Sequence, residues 1–309
     1  MNTPHERLTR TTFSLPLGEV HALVGGAVNA RPLLFLHGFP DHPPTAVPFL
    51  EHLAETHRVV APWLRGYAPS PIVGPYDLDT LAADALALID RLGGQVDLVG
   101  HDWGGMITYT VCAAAPSHVR RAVTLAIPHP ATLLRSLASS KQWKKSWYMV
   151  LFQLPGADYL VRRRDLALID RLWHAWSPSF TLDSARRDEL HACLERSLPA
   201  PLEYYRAIVR PLTTFIDRML KAEAHIATPL LQLHGSDDGC IVPPTDADRR
   251  WFDARALEVV PNLGHFLHIE APARSLRASP AGWRSATRAS GAAPCCAGVW
   301  AFEVGLSRP

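Results

Sequence analysis

An aspartate lies at the centre of the most informative motif of the chain. Residues 100–105 read GHDWGG; they follow an apolar run and precede a helical pattern that starts at Trp103. This layout is typical of a nucleophile elbow, a sharp strand-to-helix turn whose glycines permit the tight backbone and the close helix. The exposed residue is Asp102, whose carboxylate needs no base and suits attack on a saturated carbon that carries a leaving oxygen or halogen. An ordinary turn with Asp102 as a helix cap is the alternative interpretation.

A second motif supplies a candidate oxyanion hole. HGFP at residues 37–40 follows the apolar run LLFLH. In an elbow architecture the loop at this place contributes one backbone N–H, and the residue after the nucleophile contributes the other. Phe39 and Trp103 are therefore the expected donors, and the motif alone also fits a plain apolar turn.

The acid of a catalytic triad is expected after a late strand, where two neighbouring aspartates compete. Residues 235–241 read GSDDGCI. The pattern G-x-x-D-x-x-I, from Gly235 to Ile241, favours Asp238. Asp237 is interpreted as a turn or cap residue. Residues 127–130, which follow the preceding strand, contain no acidic side chain, so the other usual place for the acid is not available.

A histidine follows the last predicted strand. Residues 264–268 read GHFLH; His265 occupies the place of the triad base, and His268 is interpreted as structural. Asp102, Asp238 and His265 follow one another along the chain as nucleophile, acid and base, which is the order of the elbow architecture. Four motifs in this order favour hydrolysis through a covalent ester over a chance arrangement.

The other histidines and the cysteines indicate neither a metal site nor disulfides. HExxH and CxxC spacings do not occur in the sequence. Neither a metal nor a cofactor is therefore expected, and the five cysteines favour a reduced, cytoplasmic setting. His101 is interpreted as a packed neighbour of the nucleophile. The remaining dispersed histidines include His42, His129, His191, His225 and His234.

The composition is that of an ordinary globular protein. The chain has 309 residues, of which 48% are hydrophobic and 19% charged, and this balance excludes a disordered, collagen-like or coiled-coil chain. A net charge of +2 gives no sign of a nucleic-acid surface. No apolar run approaches the length of a membrane-spanning helix, and the polar first residues lack the apolar segment of a signal peptide, so neither a membrane nor secretion is expected.

Short apolar runs alternate with helical patterns in the first half of the chain. Because this alternation implies parallel strands joined by right-handed crossovers, helices are expected on both faces of the sheet. The predicted fold class is α/β with a mostly parallel central sheet. The predicted strands cover residues 33–37, 58–62, 96–100, 119–127, 229–234 and 256–260, and the predicted helices cover residues 77–92, 103–115 and 246–252.

The alternation breaks after residue 127. Residues 128–212 show helical spacing, without a clear strand pattern, and are rich in Trp, Tyr, Leu and Arg. They are predicted to form a helical cap inserted into a core of residues 1–127 and 213–274. Residues 275–309 combine small residues, Arg and Pro without a periodic apolar face, and are predicted to form an irregular tail.

These motifs resemble those of α/β-hydrolases of the epoxide hydrolase branch. The resemblance covers roughly residues 12–272 and extends into the cap, where that family carries two tyrosines that hold and protonate the epoxide oxygen. The first matches Tyr148 in YMVLFQLPG, and the second matches Tyr205 in EYYRAIVRP, with Tyr204 as its competitor. Ordinary packed tyrosines are the alternative interpretation. The matching segments are HGFPD (37–41), LRGYAPS (64–70), GHDWGG (100–105), GSDDGCI (235–241) and GHFLHIEAP (264–272).

The resemblance implies a two-step conversion of an epoxide to a vicinal diol. Asp102 attacks an epoxide carbon to form an ester, while Tyr148 and Tyr205 assist the oxygen. His265, oriented by Asp238, then activates the water that cleaves the ester. The implied partners are a small apolar epoxide and water, and a monomer or homodimer is expected. The pocket is expected to be lined by Trp143, Trp147, Leu151 and Phe152.

Other functions stay open at the level of sequence. A haloalkane dehalogenase shares the three catalytic residues and would use the indole N–H of Trp103 for the halide. It usually carries a second donor in the HGFP loop, however, and the side chain of Phe39 cannot donate. A fluoroacetate-type dehalogenase would carry Arg in place of Trp103, and a serine esterase would carry Ser at the elbow. A non-catalytic ligand-binding protein of the same fold would not need the nucleophile, acid and base together.

Overall fold

An eight-stranded sheet forms the centre of the molecule. The computed structural model describes residues 8–276, with the side chains of residues 214–216 excepted. The strands are β1 (Thr9–Leu15), β2 (Gly18–Gly25), β3 (Arg31–Leu36), β4 (His57–Pro62), β5 (Val96–His101), β6 (Val119–Leu125), β7 (Leu230–Gly235) and β8 (Arg255–Val260). Their order is β1-β2-β4-β3-β5-β6-β7-β8. β2 pairs antiparallel with both β1 and β4, and the other neighbours pair parallel.

The interior strands are apolar because helices cover the sheet. In β3 the side chains of Leu33, Leu34, Phe35 and Leu36 are at most 2% exposed. Full burial of such a side chain contributes about 1.5–3 kcal/mol. A strand that is buried on both faces reads as a continuous apolar run rather than as an alternation. The six strands predicted from such runs are all present.

Helices pack against the sheet, and further helices lie between β6 and β7. Helix α2 (Leu78–Arg91) packs with α3 (Trp103–Ala114), and α1 (Val47–Ala54) packs with α11 (Leu267–Glu270) and α12 (Pro272–Leu276). The predicted fold class, a mostly parallel sheet with helices, is therefore confirmed. The helices are α1 (Val47–Ala54), α2 (Leu78–Arg91), α3 (Trp103–Ala114), α4 (Pro130–Ser136), α5 (Ser140–Lys145), α6 (Trp147–Gln153), α7 (Ala157–Trp176), α8 (Ser184–Ser197), α9 (Ala200–Val209), α10 (Phe215–Lys221), α11 (Leu267–Glu270) and α12 (Pro272–Leu276).

Two strands at the amino-terminal edge were not expected from the sequence. β1 and β2 form a hairpin, and Gly18 at its turn has a φ of 123°, which favours glycine. The side chains of β1 are mostly exposed, so its sequence TRTTFSL shows no apolar run. The predicted helix at residues 246–252 is a short 3₁₀ helix, Asp246–Trp251.

The chain between β6 and β7 is helical, as predicted for the cap. The helical region continues past the predicted boundary at residue 212, because α10 lies between that boundary and β7. α7 is interrupted at residues 163–166, where the backbone leaves helical dihedral angles. None of the helices within residues 8–276 combines the length and the apolarity needed to cross a membrane.

The end of the described chain belongs to the core rather than to a tail. Ser275 and Leu276 complete α12 and are 3% and 8% exposed, so the predicted tail begins two residues too early. The rest of that predicted tail, residues 277–309, lies outside the described residues, as do Cys295 and Cys296. Three cysteines within the described part are buried free thiols: Cys112, Cys193 and Cys240.

Candidate active site

Asp102 occupies a strained turn between β5 and α3. Its backbone has φ 49° and ψ −114°, and such a conformation costs a non-glycine residue on the order of 1–3 kcal/mol. Glycines allow the surrounding contacts. A Cβ on Gly104 would lie 2.0 Å from the carbonyl oxygen of Leu36, and a Cβ on Gly100 would lie 2.2 Å from that of Gly104. Helix α3 therefore packs directly against β3 and β5, and this close contact holds the turn at Asp102.

The Asp102 carboxylate accepts one backbone hydrogen bond and faces the predicted base. The backbone N–H of Phe39 donates to Oδ1 over 3.0 Å, and Nε2 of His265 lies 3.6 Å from Oδ2. Trp103 follows directly as the first residue of α3. The N–H that the sequence predicts for an oxyanion hole thus points at the carboxyl group of the predicted nucleophile, while the second oxygen faces the histidine.

His265 and Asp238 form a buried hydrogen-bonded pair. Nδ1–H of His265 donates to Oδ2 of Asp238 over 2.9 Å. The other oxygen, Oδ1, accepts from the backbone N–H groups of Cys240 and Ile241 over 2.7 and 2.8 Å. Asp237 is exposed instead. Of the two neighbouring aspartates, the structure brings Asp238 to the histidine.

The charges of this cluster reinforce one another. Burial of His265 opposes its charge, but the carboxylates of Asp238 and Asp102 outweigh burial and raise the pKa of His265 to about 10. Burial also opposes ionisation of Asp238, but His265 and His234 hold the pKa of that carboxyl below its usual value. The two carboxyl groups therefore favour the protonated form of the imidazole that lies between them.

His234 belongs to this cluster, which the sequence interpretation as a dispersed histidine missed. Its Nε2 lies 3.0 Å from Oδ2 of Asp238, the same oxygen that His265 contacts. The same nitrogen of His234 lies 3.4 Å from the backbone carbonyl of Ile241, so this imidazole contacts two residues of the segment that carries the predicted acid. The sequence signal for this contact was the position of His234 near the end of a predicted strand. It is the penultimate residue of β7 and lies four residues before Asp238.

Two cap tyrosines face the carboxylate cluster. The rings of Tyr148 and Tyr205 are 5.6 Å apart, and the ring of Tyr205 lies 5.1 Å from that of Trp103. The hydroxyl of Tyr148 lies 3.3 Å from Sγ of Cys240. The hydroxyl of Tyr205 makes no hydrogen bond of good geometry within the described residues. Burial raises the pKa of both hydroxyls well above the usual value, so both stay protonated.

Tyr204, the competitor of Tyr205, points elsewhere. Its hydroxyl donates to the backbone carbonyl of Arg65 over 2.5 Å. The structure therefore brings Tyr205 rather than Tyr204 to Tyr148. The two positions were not separable in the sequence, because adjacent residues of one helix differ only in the direction of their side chains.

The predicted pocket residues divide between the two faces of the cap helices. Phe152 is fully buried, with its ring 5.4 Å from that of Phe39 and 5.1 Å from that of Tyr205. Leu151 is partly buried. Trp143 and Trp147 are 59% and 43% exposed, so they lie at the surface of the cap rather than among the buried rings around Phe152. In α6, Tyr148 and Phe152 are four residues apart and share the inner face, whereas Trp147 lies outside that stripe.

One buried group is a candidate for metal binding. Asp41, His101 and His268 offer ligand atoms that lie within 4.8 Å of one another, and Asp41 Oδ2 lies 4.0 Å from His268 Nε2. Tetrahedral zinc would need its ligand atoms roughly 3.3 Å apart, given Zn–N distances near 2.05 Å. The group is wider than such a site. One of its members, His101, also contacts the backbone carbonyl of His265 through Nε2 over 3.0 Å.

Comparisons with known proteins agree with this fold. A family model described as "alpha/beta hydrolase fold" matches residues 31–272. Epoxide hydrolase 3 of Mus musculus is 30% identical over an alignment of 268 residues, and the match covers 82% of this chain and 70% of that protein. Epoxide hydrolase 1 of Caenorhabditis elegans is 27% identical over an alignment of 246 residues, and the match covers 72% of this chain and 57% of that protein.

A solved structure supports the fold. The crystal structure of Bacillus megaterium epoxide hydrolase in complex with an inhibitor has a TM-score of 0.76 at 24% identity, and the match covers 86% of this chain and 96% of that one. The chain spans only 57–62% of the length of several relatives from nematode, mouse and human. By the extent of the family match and by its likeness to the mouse protein, the chain belongs to the α/β-hydrolase fold family and, within it, to the epoxide hydrolase branch.

Proposed function

We propose that this protein hydrolyses an apolar epoxide to a vicinal diol through a covalent ester on Asp102. One observation carries the proposal: the buried cap tyrosines Tyr148 and Tyr205 lie side by side, and the ring of Tyr205 contacts Trp103, the residue after Asp102, over 5.1 Å. A carboxylate attacks a saturated carbon, and a protonated hydroxyl assists an oxygen that leaves as an alkoxide. The relatives named epoxide hydrolases support the same chemistry.

In the first step, Oδ2 of Asp102 attacks one carbon of the epoxide ring. A carbon–oxygen bond forms to Asp102, and the carbon–oxygen bond of the ring breaks. The departing oxygen accepts hydrogen bonds from Tyr148 and Tyr205 and takes a proton from one of them. The hydrogen bond from Phe39 N–H holds Oδ1 and leaves Oδ2 as the attacking atom. The product is a hydroxyalkyl ester on Asp102.

In the second step, water cleaves this ester. His265 takes a proton from water, and the hydroxide attacks the carbonyl carbon of the Asp102 ester. The N–H groups of Phe39 and Trp103 stabilise the tetrahedral oxyanion. Asp238 stabilises the imidazolium that forms. Collapse of the intermediate breaks the carbon–oxygen bond that was formed first. The departing diol oxygen takes the proton of the newly added hydroxyl group, which returns Asp102 to a carboxylate, and the proton that His265 loses on esterification restores the tyrosine that protonated the epoxide oxygen.

Esterification of Asp102 lowers the pKa of His265, so that His265 can act as a base. In the free enzyme two carboxylates keep the imidazole protonated and raise its pKa to about 10. Once Asp102 is an ester, its negative charge is gone and Asp238 alone supports the imidazolium. The pKa of His265 therefore falls, and the neutral base that the second step needs appears after the first step is complete.

This change predicts a pH dependence for the two steps. Ester hydrolysis should accelerate as pH rises, with an apparent pKa below that of His265 in the free enzyme, because only neutral imidazole accepts a proton from water. The ester should therefore accumulate on the unmodified protein at acidic pH. Rapid-quench mass spectrometry across acidic and neutral pH measures both quantities. Ester hydrolysis that is fastest at the acidic end would contradict the assignment of His265.

A substrate panel tests the proposed function. Apolar epoxides should be converted to vicinal diols, and primary haloalkanes of the same carbon skeleton should release no halide. The observation in favour of a dehalogenase is Trp103 beside the nucleophile, yet Phe39 offers no side-chain donor for a halide. Chromatography of diols and a halide assay measure the two outcomes. Halide release without diol formation would replace the proposal with the dehalogenase alternative.

Loss of the two tyrosine hydroxyls should separate these alternatives. Tyr148→Phe or Tyr205→Phe should leave partial epoxide activity, because the remaining hydroxyl still donates. The double variant should lose far more than either single one, on the order of 10²–10³-fold if the loss resembles that of one oxyanion donor. Single-turnover rates of ester formation measure the effect.

Tyr204→Phe is the matched control for these variants, since it removes a hydroxyl on the same helix that contacts Arg65 instead. It should keep ester formation near the parent rate. A double variant Tyr148→Phe/Tyr205→Phe that opens epoxides at the parent rate would reduce both tyrosines to packing residues. A leaving halide needs no proton, so a dehalogenase would also tolerate the double change.

A further inference from the structure

The loop that carries the triad acid is held by a buried cap side chain. We call residues 238–242 the acid loop. Gln142, in α5, is fully buried, and its Nε2 donates to the backbone carbonyl of Cys240 over 3.0 Å. Its Oε1 accepts from the backbone N–H of Val242 over 2.9 Å. The Gln142 amide thus binds backbone groups of Cys240 and Val242. The N–H groups that hold Asp238 belong to Cys240 and Ile241, in the same short segment.

The same amide also reaches the helix that carries a catalytic tyrosine. Nε2 of Gln142 donates to Oγ of Ser146 over 3.0 Å, and Ser146 is the residue directly before α6. Tyr148 is the second residue of α6, and its hydroxyl meets Sγ of Cys240 in the acid loop. Gln142 therefore fixes, from one point, both the acid loop and the start of the helix that bears Tyr148.

Further cap contacts surround the acid loop. The carbonyl oxygen of Trp176, at the end of α7, accepts from the N–H of Gly239 over 3.1 Å and from that of His265 over 2.9 Å. A Cβ on Gly239 would lie 1.8 Å from the carbonyl oxygen of Ala175, so the cap backbone occupies the space of a side chain. These are backbone contacts. Two side chains of α5 join them: the ammonium group of Lys145 donates to the backbone carbonyl of Asp238, and Gln142 is the one that a substitution can remove without a change of charge.

We propose that Gln142 is a positioning residue that fixes the position of the triad acid, Asp238, relative to the cap tyrosine Tyr148. In this view, the cap is a part of the catalytic scaffold as well as a cover over the substrate. The consequence for catalysis rests on the proposed function, whereas the consequence for the Asp238–His265 pair does not, because that hydrogen bond exists without substrate.

The sign of the effect follows from the charges. Asp238 raises the pKa of His265. An acid loop that loses Gln142 weakens this contact, so the pKa of His265 falls. In the ester form of the enzyme, His265 then becomes neutral at a lower pH. The pH at which the rate of ester hydrolysis rises to its plateau therefore shifts to a lower value. The rate at the plateau falls because a less well oriented imidazole is a poorer base, roughly tenfold to a hundredfold for a small displacement.

The test compares Gln142→Met with Gln232→Met. Methionine keeps the volume and removes the amide. Gln232 is the matched control: it is a glutamine in β7 that is 1% exposed, and its amide donates to Tyr109 over 2.6 Å and accepts from Arg255. Both variants lose buried hydrogen bonds. Thermal unfolding reports the structural cost of each.

The first readout needs no substrate. The Nδ1 proton of His265 that binds Asp238 should give a low-field proton NMR signal, identified by its loss in His265→Gln. This signal should move to higher field or broaden in Gln142→Met and stay unchanged in Gln232→Met. The second readout is single-turnover ester hydrolysis as a function of pH, where only Gln142→Met should show the slower plateau and the shifted acid limb.

The outcomes distinguish failure of the positioning role of Gln142 from failure of the proposed function. An unchanged low-field signal in Gln142→Met overturns the positioning role, whatever the substrate. If the parent protein forms no ester with any epoxide while the signal shift occurs, the proposed function fails and the positioning role stands. Should Gln142→Met fail to fold, Gln142→Asn replaces it, because the shorter amide cannot span Cys240 and Val242 together. Parent-like values for that variant equally overturn the proposal.

Discussion

Asp102→Asn should lose turnover of epoxides by roughly 10⁴-fold or more, the scale on which removal of a catalytic group acts in an enzyme whose residues work as a unit. An amide oxygen is a poor nucleophile and cannot form the ester. The fold should persist, because the side-chain oxygen of the introduced asparagine still accepts from Phe39 N–H over the same 3.0 Å. Steady-state diol formation and thermal unfolding, measured on freshly purified protein, check both parts.

A matched substitution controls for the change of charge. Asp237→Asn alters an exposed carboxylate next to the triad acid and should keep activity near the parent value. Deamidation of the asparagine introduced by Asp102→Asn would restore aspartate slowly, so the mass of the variant must be verified at the time of assay. Parental turnover in a verified variant would remove Asp102 from its proposed role, and a comparable loss in Asp237→Asn would point to a general electrostatic effect.

The parts of the site that could be predicted are those fixed by backbone geometry. An elbow needs glycine at Gly100 and Gly104, because carbonyl oxygens occupy the places of their Cβ atoms. The requirement is local, so the motif GHDWGG carries it in the sequence. The acid and the base lie in the loops after β7 and β8, two parallel strands of the sheet, and the carboxyl ends of such strands meet at one edge.

The parts that could not be predicted depend on which side of an element a residue faces. Trp147 and Tyr148 are adjacent and both aromatic, but a step of about 100° around the helix sends one to solvent and the other to the site. His234 reads as one more buried residue of an apolar strand. Its role arises only because the acid loop turns back and places Asp238 beside it.

The contacts from the cap are the least visible in the sequence. Gln142 is separated from Cys240 by 98 residues, and nothing in either local sequence indicates a partner. Side chain to backbone bonds of this kind have no residue-type preference at the acceptor, since every residue offers a carbonyl. Strand β1 escaped prediction for a related reason: an exposed edge strand has no apolar face to generate a pattern.

The second large effect concerns the base. His265→Gln should stop the reaction after the first step, because attack by Asp102 needs no base whereas hydrolysis of the ester does. Mixing the variant with an apolar epoxide should give protein heavier by one substrate molecule, with one equivalent of epoxide consumed and no diol released. Intact-protein mass spectrometry measures the adduct, and peptide mapping should place it on Asp102.

His268→Gln discriminates between the two histidines of the GHFLH segment. His268 is buried three residues further on, and its nitrogens contact neither Asp102 nor Asp238 within hydrogen-bonding distance among the described residues. This variant should release diol without a lasting adduct. The contrast is informative because loss of a base and loss of packing have opposite signatures: a missing base leaves a stable ester on a folded protein, and loosened packing slows both steps together. An unmodified His265→Gln protein with untouched epoxide would show that the histidine already acts in the first step, as the base of a single-step attack by water.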